Sequence, residues 1–146
     1  MTSKKILFTG GNGFIGRQVI PFIQAAGYDV VRPRSTQVRL QVDREVATLF
    51  DNGQHYDAII HAAIVGGRRD TEDDARVLYN NLHMFETLYK YVDHTDMFIN
   101  LDSGASYGRP APVEEPSPED FGQVIPGDPY GFSKYIIAKR VLADPK

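Results

Sequence analysis

No cysteine occurs among the 146 residues. That excludes disulfides, cysteine-type zinc sites and a cysteine nucleophile. No apolar run approaches the roughly 20 residues needed to cross a membrane, and the N-terminus lacks the apolar core of a secretory leader. The expectation is a cytoplasmic protein with no membrane partner. An excess of positive charge is missing as well. Sixteen Lys and Arg stand against 19 Asp and Glu, a net charge of −3, so nothing suggests a nucleic-acid partner. The histidines, His55, His61, His83 and His94, have no metal-ligand spacing, and no metal is expected. The composition is otherwise that of an ordinary globular chain, 42% hydrophobic and 24% charged. Its length suits a single domain spanning 1–146.

Glycine, by contrast, is placed with a pattern. Residues 9–16 read TGGNGFIG, which sets Gly10, Gly13 and Gly16 three apart directly after the apolar run KKILF. A flexible turn needs only one. In a strand–turn–helix unit, the first glycine permits the tight turn and the second lets a pyrophosphate approach the backbone. The third lets the helix pack close to the strand, while the helix N-terminus offers amide donors and its positive dipole end.

The remainder alternates between strand-like and helix-like segments. Strands are expected over YDVVRP, VRLQV, DAIIHAA and MFINLDS, after the first over KKILFTG. Ile15, Val19, Phe22 and Ile23 have helical spacing over 14–26, and Gly27 suits the stop. Asp43 suits the N-cap of a helix over REVATLF. Leu78, Leu82, Phe85, Tyr89 and Val92 mark one face of a long helix, and YGFSKYIIAKRVL reads as a last one. A proline-rich stretch from Arg109 to Pro129 reads as an extended loop between them. Such alternation predicts an α/β fold, a Rossmann-type doubly wound parallel sheet of about five strands with helices on both faces.

Three motifs in order resemble the extended short-chain dehydrogenase/reductase family of nucleotide-sugar epimerases, dehydratases and reductases. TGGNGFIG is similar to its TGxxGxxG fingerprint, LDSGASYG to its Ser-x-x-x-Tyr-Gly segment, and PYGFSK to its Tyr-x-x-x-Lys motif. The resemblance runs the length of the chain. It implies Ser103, Tyr130 and Lys134 as catalytic residues, with serine and tyrosine 27 residues apart. It also implies a cofactor site built from Gly10, Gly13, Phe14, Ile15, Gly16, Ala62, Ala63 and Asn81, joined by Tyr130 and Lys134. The implied substrate is a nucleotide sugar.

The implied chemistry suits these residue types. A phenol titrates near pH 10, so a tyrosine acid/base must be retuned by about three units, roughly 4 kcal/mol. Lys134 lies four residues after Tyr130, on the same helical face, where its charge favours phenolate. Ser103 would hydrogen-bond the reacting oxygen while hydride moves to or from the cofactor. An NAD-preferring site usually closes the second strand with an acid. Here that strand ends with Arg32, Arg34 and Ser35, and guanidinium groups suit a 2′-phosphate. NADP(H) is therefore favoured over NAD(H).

Within the family, AAIVGG at 62–67 resembles a segment of the GDP-fucose synthases, although Ala105 stands where they carry a catalytic cysteine. Gly104 and Ala105 replace the Asp-Glu pair of the dehydratases. A 4-epimerase or keto-sugar reductase is what remains. Family members are about twice as long, so the chain reads as the cofactor-binding half, truncated before the C-terminal substrate lobe. Alone it is expected to bind cofactor without turnover, and its last strand, an unpaired edge, favours a homo-oligomer. The alternative is a non-catalytic dinucleotide-binding module with a regulatory or assembly role.

Overall fold

The structure, a computed structural model, describes residues 4–68, 70–108 and 120–144. Strand β1 (Lys5–Thr9) leads through the glycine turn into helix α1 (Phe14–Ala25), then β2 (Asp29–Val31). There follow α2 (Asp43–Ala47), β3 (Ala58–His61), α3 (Ala75–Tyr89), β4 (Phe98–Asn100) and α4 (Pro129–Ala143). Short 3-10 turns occupy Thr48–Gly53, Val92–His94 and Gly104–Tyr107. The four strands form one parallel sheet in the order β2-β1-β3-β4. Among the described residues this is the Rossmann-like arrangement, with one strand fewer than the sequence pattern suggested.

The missing strand is VRLQV. Val38, Leu40 and Val42 alternate with polar residues as a strand should, yet the segment satisfies its backbone locally. Gln37 and Val38 N–H both donate to the Arg34 carbonyl, and Val42 N–H donates to that of Arg39. The Arg39 guanidinium and amide hold Glu45, bringing its carboxyl down to about 2 chiefly through the side-chain hydrogen bond. Only Leu40 of the three apolar residues is buried. Asp43 is likewise corrected. Val42 occupies the cap of α2, Asp43 is the first helical residue, and its carboxylate takes the Lys90 ammonium at 2.8 Å.

By contacts the chain divides into two compact units. One contains residues up to Ile64 with Met84–Leu101, the other Val65–His83 with the chain from Asp102 onward. The first holds the sheet. All four residues of β3 are buried, as a central parallel strand covered on both faces requires. One face packs Ile6, Phe8, Ala58 and Ile60 against Ile20. The other places Leu7, Ile59 and Phe98 in register, with Phe98 edge-on to the rings of Phe85 and Tyr89 from the α3 side. Only Ile23, partly buried, contributes from the expected α1 stripe, since Ile15, Val19 and Phe22 are exposed. The inward face runs Gly16, Ile20, Ile23, because Gly16 has to face the strand. Gly27, with φ +89°, closes α1 as expected.

The second unit holds α4. Asp128 caps it by accepting from the Gly131 N–H at 2.8 Å, and Pro129 takes the first helical position, where no amide is needed. Of the proline-rich stretch, residues 109–119 lie outside the described residues.

Candidate functional site

In the sheet unit the three glycines have three different surroundings. Gly10 has φ +71°, and a Cβ there would stand 2.6 Å from the Ala62 carbonyl carbon and the Ala63 nitrogen. The turn thus crosses the end of β3 in backbone-to-backbone contact, bringing Ala62 and Ala63 beside it. At Gly16 a Cβ would fall 2.4 Å from Gly11 backbone atoms, so only glycine lets α1 rise so close to the turn. Gly13 differs: its Cβ would meet only the Gly10 carbonyl, at 3.1 Å. It caps α1 with extended backbone, and its N–H donates to Gly10 while its carbonyl accepts from Arg17. The chain fills the space beside the first and third glycines and leaves the second accessible, which is what a phosphate-binding turn needs. Phe14 and Ile15, next in sequence, are both exposed.

The end of β2 lies against the same turn, with Arg32 Cβ 3.0 Å from the position of a Gly11 Cβ. Arg32 and Arg34 are exposed, and Arg34 heads the turn over 34–38. Beneath the turn, Thr9 Oγ1 and His61 Nδ1 are 2.8 Å apart in the buried row where β1 and β3 pair.

The second unit contains Ser103, Tyr130 and Lys134. Ser103 caps the 3-10 turn over Gly104–Tyr107: its Oγ accepts from the Ala105 N–H at 3.2 Å, and its carbonyl accepts from Ser106. That acceptor role leaves the serine hydroxyl hydrogen to be directed elsewhere. Gly131, which the sequence reading passed over, brings this turn and α4 together. A Cβ there would stand 2.7 Å from the Ala105 carbonyl oxygen.

Lys134 is buried at 5% exposure inside α4. Burial lowers the pKa of its ammonium, and the Asp102 carboxylate acts in the opposite direction. Asp102 is exposed as a residue, but the protein crowds its carboxyl and raises its pKa, against hydrogen bonds from Ser103 and Ser106 and the charge of Lys134. A buried cation destabilises the fold where it remains charged. Below the lowered folded pKa that penalty is complete, and it is relieved as pH rises towards the unfolded value near 10.5. Lys134→Met is therefore expected to raise Tm at pH 7, with the gain shrinking at alkaline pH. Thermal melts of both proteins from pH 6 to 10 check this; a lower Tm at pH 7 counts against it.

Asn81 is completely buried, and its amide is engaged within the chain. Oδ1 accepts from the Val65 N–H at 2.9 Å, while Nδ2 donates to the Val65 carbonyl at 3.0 Å and to Ser133 Oγ at 3.1 Å. Ser133 Oγ in turn donates to the Tyr130 carbonyl at 2.7 Å. Sequence reading missed Ser133; its place one turn beyond Tyr130 in α4 was the available signal.

A parallel α/β sheet opening on a glycine turn of this kind is a Rossmann-like architecture. Residues 6–143 match the NAD dependent epimerase/dehydratase family, and the chain belongs to that family. It is 31% identical over 120 residues to a GDP-L-fucose synthase of Azorhizobium caulinodans, covering 80% of this chain and 38% of that protein. A putative UDP-glucose 4-epimerase of Methanocaldococcus jannaschii is 29% identical, covering 90% of this chain and 48% of the relative. Among solved structures, a GDP-mannoheptose C4 reductase from Campylobacter jejuni with NADP bound superposes with a TM-score of 0.85. It is 17% identical and covers 98% of this chain and 47% of that one. The chain thus spans about half the length, or less, of the relatives it matches. No helix among the described residues is long and apolar enough to cross a membrane.

Proposed function

We propose that the chain is the cofactor-binding and proton-transfer part of an NADP(H)-dependent epimerase or keto-sugar reductase acting on a nucleotide sugar. The observation that carries the reading is the accessible Gly13 at the N-terminus of α1, flanked by the arginine-bearing end of β2, in a chain of this family. Amides of Phe14 and Ile15, with the α1 dipole, would hold the pyrophosphate where Gly13 leaves room for it. Arg32 and Arg34 would hold the 2′-phosphate. Gly10, Gly16, Ala62 and Ala63 shape the turn itself, and Asn81 supports the second unit from within.

The cofactor supplies hydride transfer; this chain's residues handle the proton. Tyr130 would give or take it at the substrate oxygen. Lys134, buried one turn further along α4, would hold its charge where a charge acts strongly. The Ser103 hydroxyl, with its oxygen oriented by the Ala105 N–H, would donate to the same substrate oxygen.

Calorimetric titration of NADPH and NADH separates the cofactor assignment from its alternatives. NADPH is expected to bind the more tightly. An Arg32→Ala, Arg34→Ala double variant should lose that preference, by roughly tenfold or more for two charge-assisted contacts of about 1.5–3 kcal/mol each at most. Equal affinities in the wild type, or an unchanged ratio in the variant, overturn the assignment.

A further inference from the structure

Tyr130 packs against backbone. A Cβ on Gly67 would stand 2.6, 2.7 and 2.8 Å from Cε2, Cζ and Cδ2 of the Tyr130 ring. Three consecutive ring carbons at nearly equal distance place this point over the face of the ring. An approach to the ring edge would leave the two outer carbons distinctly farther away. A side chain on Gly67 would therefore run into the ring face, beside the carbon that bears the phenol oxygen.

The loop carrying Gly67 is braced on both sides. Asn81 takes both backbone groups of Val65. Asp73 Oδ2 accepts from the Gly67 N–H at 2.8 Å. Between these anchors Gly66 and Gly67 both have left-handed backbone, φ +79° and +77°. A Cβ on Gly66 would fall 2.7 Å from Asp73 Oδ1 and from Val77 Cγ1. The glycine pair is thus enclosed by Asp73 on one side and the Tyr130 ring on the other.

We infer that Asp73 and the Gly66–Gly67 pair form a clamp that fixes the plane of the Tyr130 ring, which makes Asp73 a positioning residue for proton transfer. The inference rests on the acid/base role proposed above for Tyr130. A phenol transfers its proton efficiently only within hydrogen-bond reach and along a suitable direction. The ring plane and the Cζ position set that direction. Asp73 acts at one remove, by holding the backbone on which the ring lies.

The test uses the whole chain, with glycine and tyrosine labelled for NMR, and steady-state turnover of nucleotide sugars in the active enzyme. In the wild type, the ring should shift the Gly67 α-protons upfield. Asp73→Ala should reduce that shift and speed flipping of the Tyr130 ring, leaving Tyr56, Tyr89 and Tyr135 unchanged. It should lower kcat by about tenfold to a hundredfold with the cofactor KM unaltered. Asp73→Asn keeps an acceptor oxygen and should restore most of both. Gly67→Ala combines a clash with an unfavourable φ, so Asp73→Ala is the cleaner variant. Unchanged Gly67 shifts and ring flipping in Asp73→Ala overturn the clamp, as does a full kcat when Tyr130→Phe is inactive. Full turnover by Tyr130→Phe instead overturns the acid/base reading, while the NMR result still decides the clamp.

Discussion

Tyr130→Phe is expected to lower turnover by about a hundredfold to ten-thousandfold, the usual range for losing a positioned acid/base, while cofactor affinity and fold are retained. The change removes one oxygen. The ring carbons remain, so their contact with the Gly67 backbone persists, and Tyr130 is only half-buried. The α4 carbonyl that receives the Ser133 hydroxyl is untouched. A lost proton relay therefore lowers kcat and kcat/KM together without raising the cofactor KM. Steady-state kinetics on a nucleotide-sugar substrate in the full-length context, with melts alongside, measure this. A variant that turns over at the wild-type rate would remove Tyr130 from the mechanism.

The second large effect separates two glycines of the same turn. Gly16→Ala gains about 1 kcal/mol in helix propensity. Against this, its new methyl group would stand 2.4 Å from Gly11 backbone, which has no flexible end to move aside. Overpacking of that kind costs about 1–3 kcal/mol and occasionally more, and rigid backbone places this site at the upper end. The contact wins, and a Tm loss of about 5 °C or more is expected for a chain of this size. Gly13→Ala is the converse. Its φ of −78° suits any residue, and its nearest neighbour is a single carbonyl at 3.1 Å. Tm should change little, while the methyl group blocks the approach of a phosphate. Equal Tm losses in the two variants would show that Gly13 serves the fold alone.

The arrangement of strands and helices was legible because period and punctuation agreed. KKILFTG, DAIIHAA and MFINLDS are apolar runs bounded by turn residues, and β1, β3 and β4 lie within them. VRLQV has the same pattern but forms turns. Carbonyls of Arg34 and Arg39 satisfy its amides locally, and that competition is invisible in apolar spacing. The orientation of α1 was misread from Ile15, Val19 and Phe22, although Gly16 already carried the information: the residue without a side chain marks the face of closest approach. The glycine turn was legible as a motif, and Ser103, Tyr130 and Lys134 are proposed from motifs. Their supports, Asp73, Gly131 and Ser133, were not, since each acts through a contact with a residue remote in sequence or with backbone. Asn81 was named as a cofactor-side residue; its bonds to Val65 and Ser133 depend on a loop path that no local pattern specifies.

That a dinucleotide sits on the turn of Gly10, Gly13 and Gly16 is tested most directly by following backbone amide resonances as NADPH is added. Saturating shifts are expected for the amides from Gly11 to Ile15 and for Arg32 and Arg34, at one cofactor per chain, with the same set lost in Gly13→Ala. Amides of the turn that stay in place at saturating NADPH, or that move equally in Gly13→Ala, would contradict it.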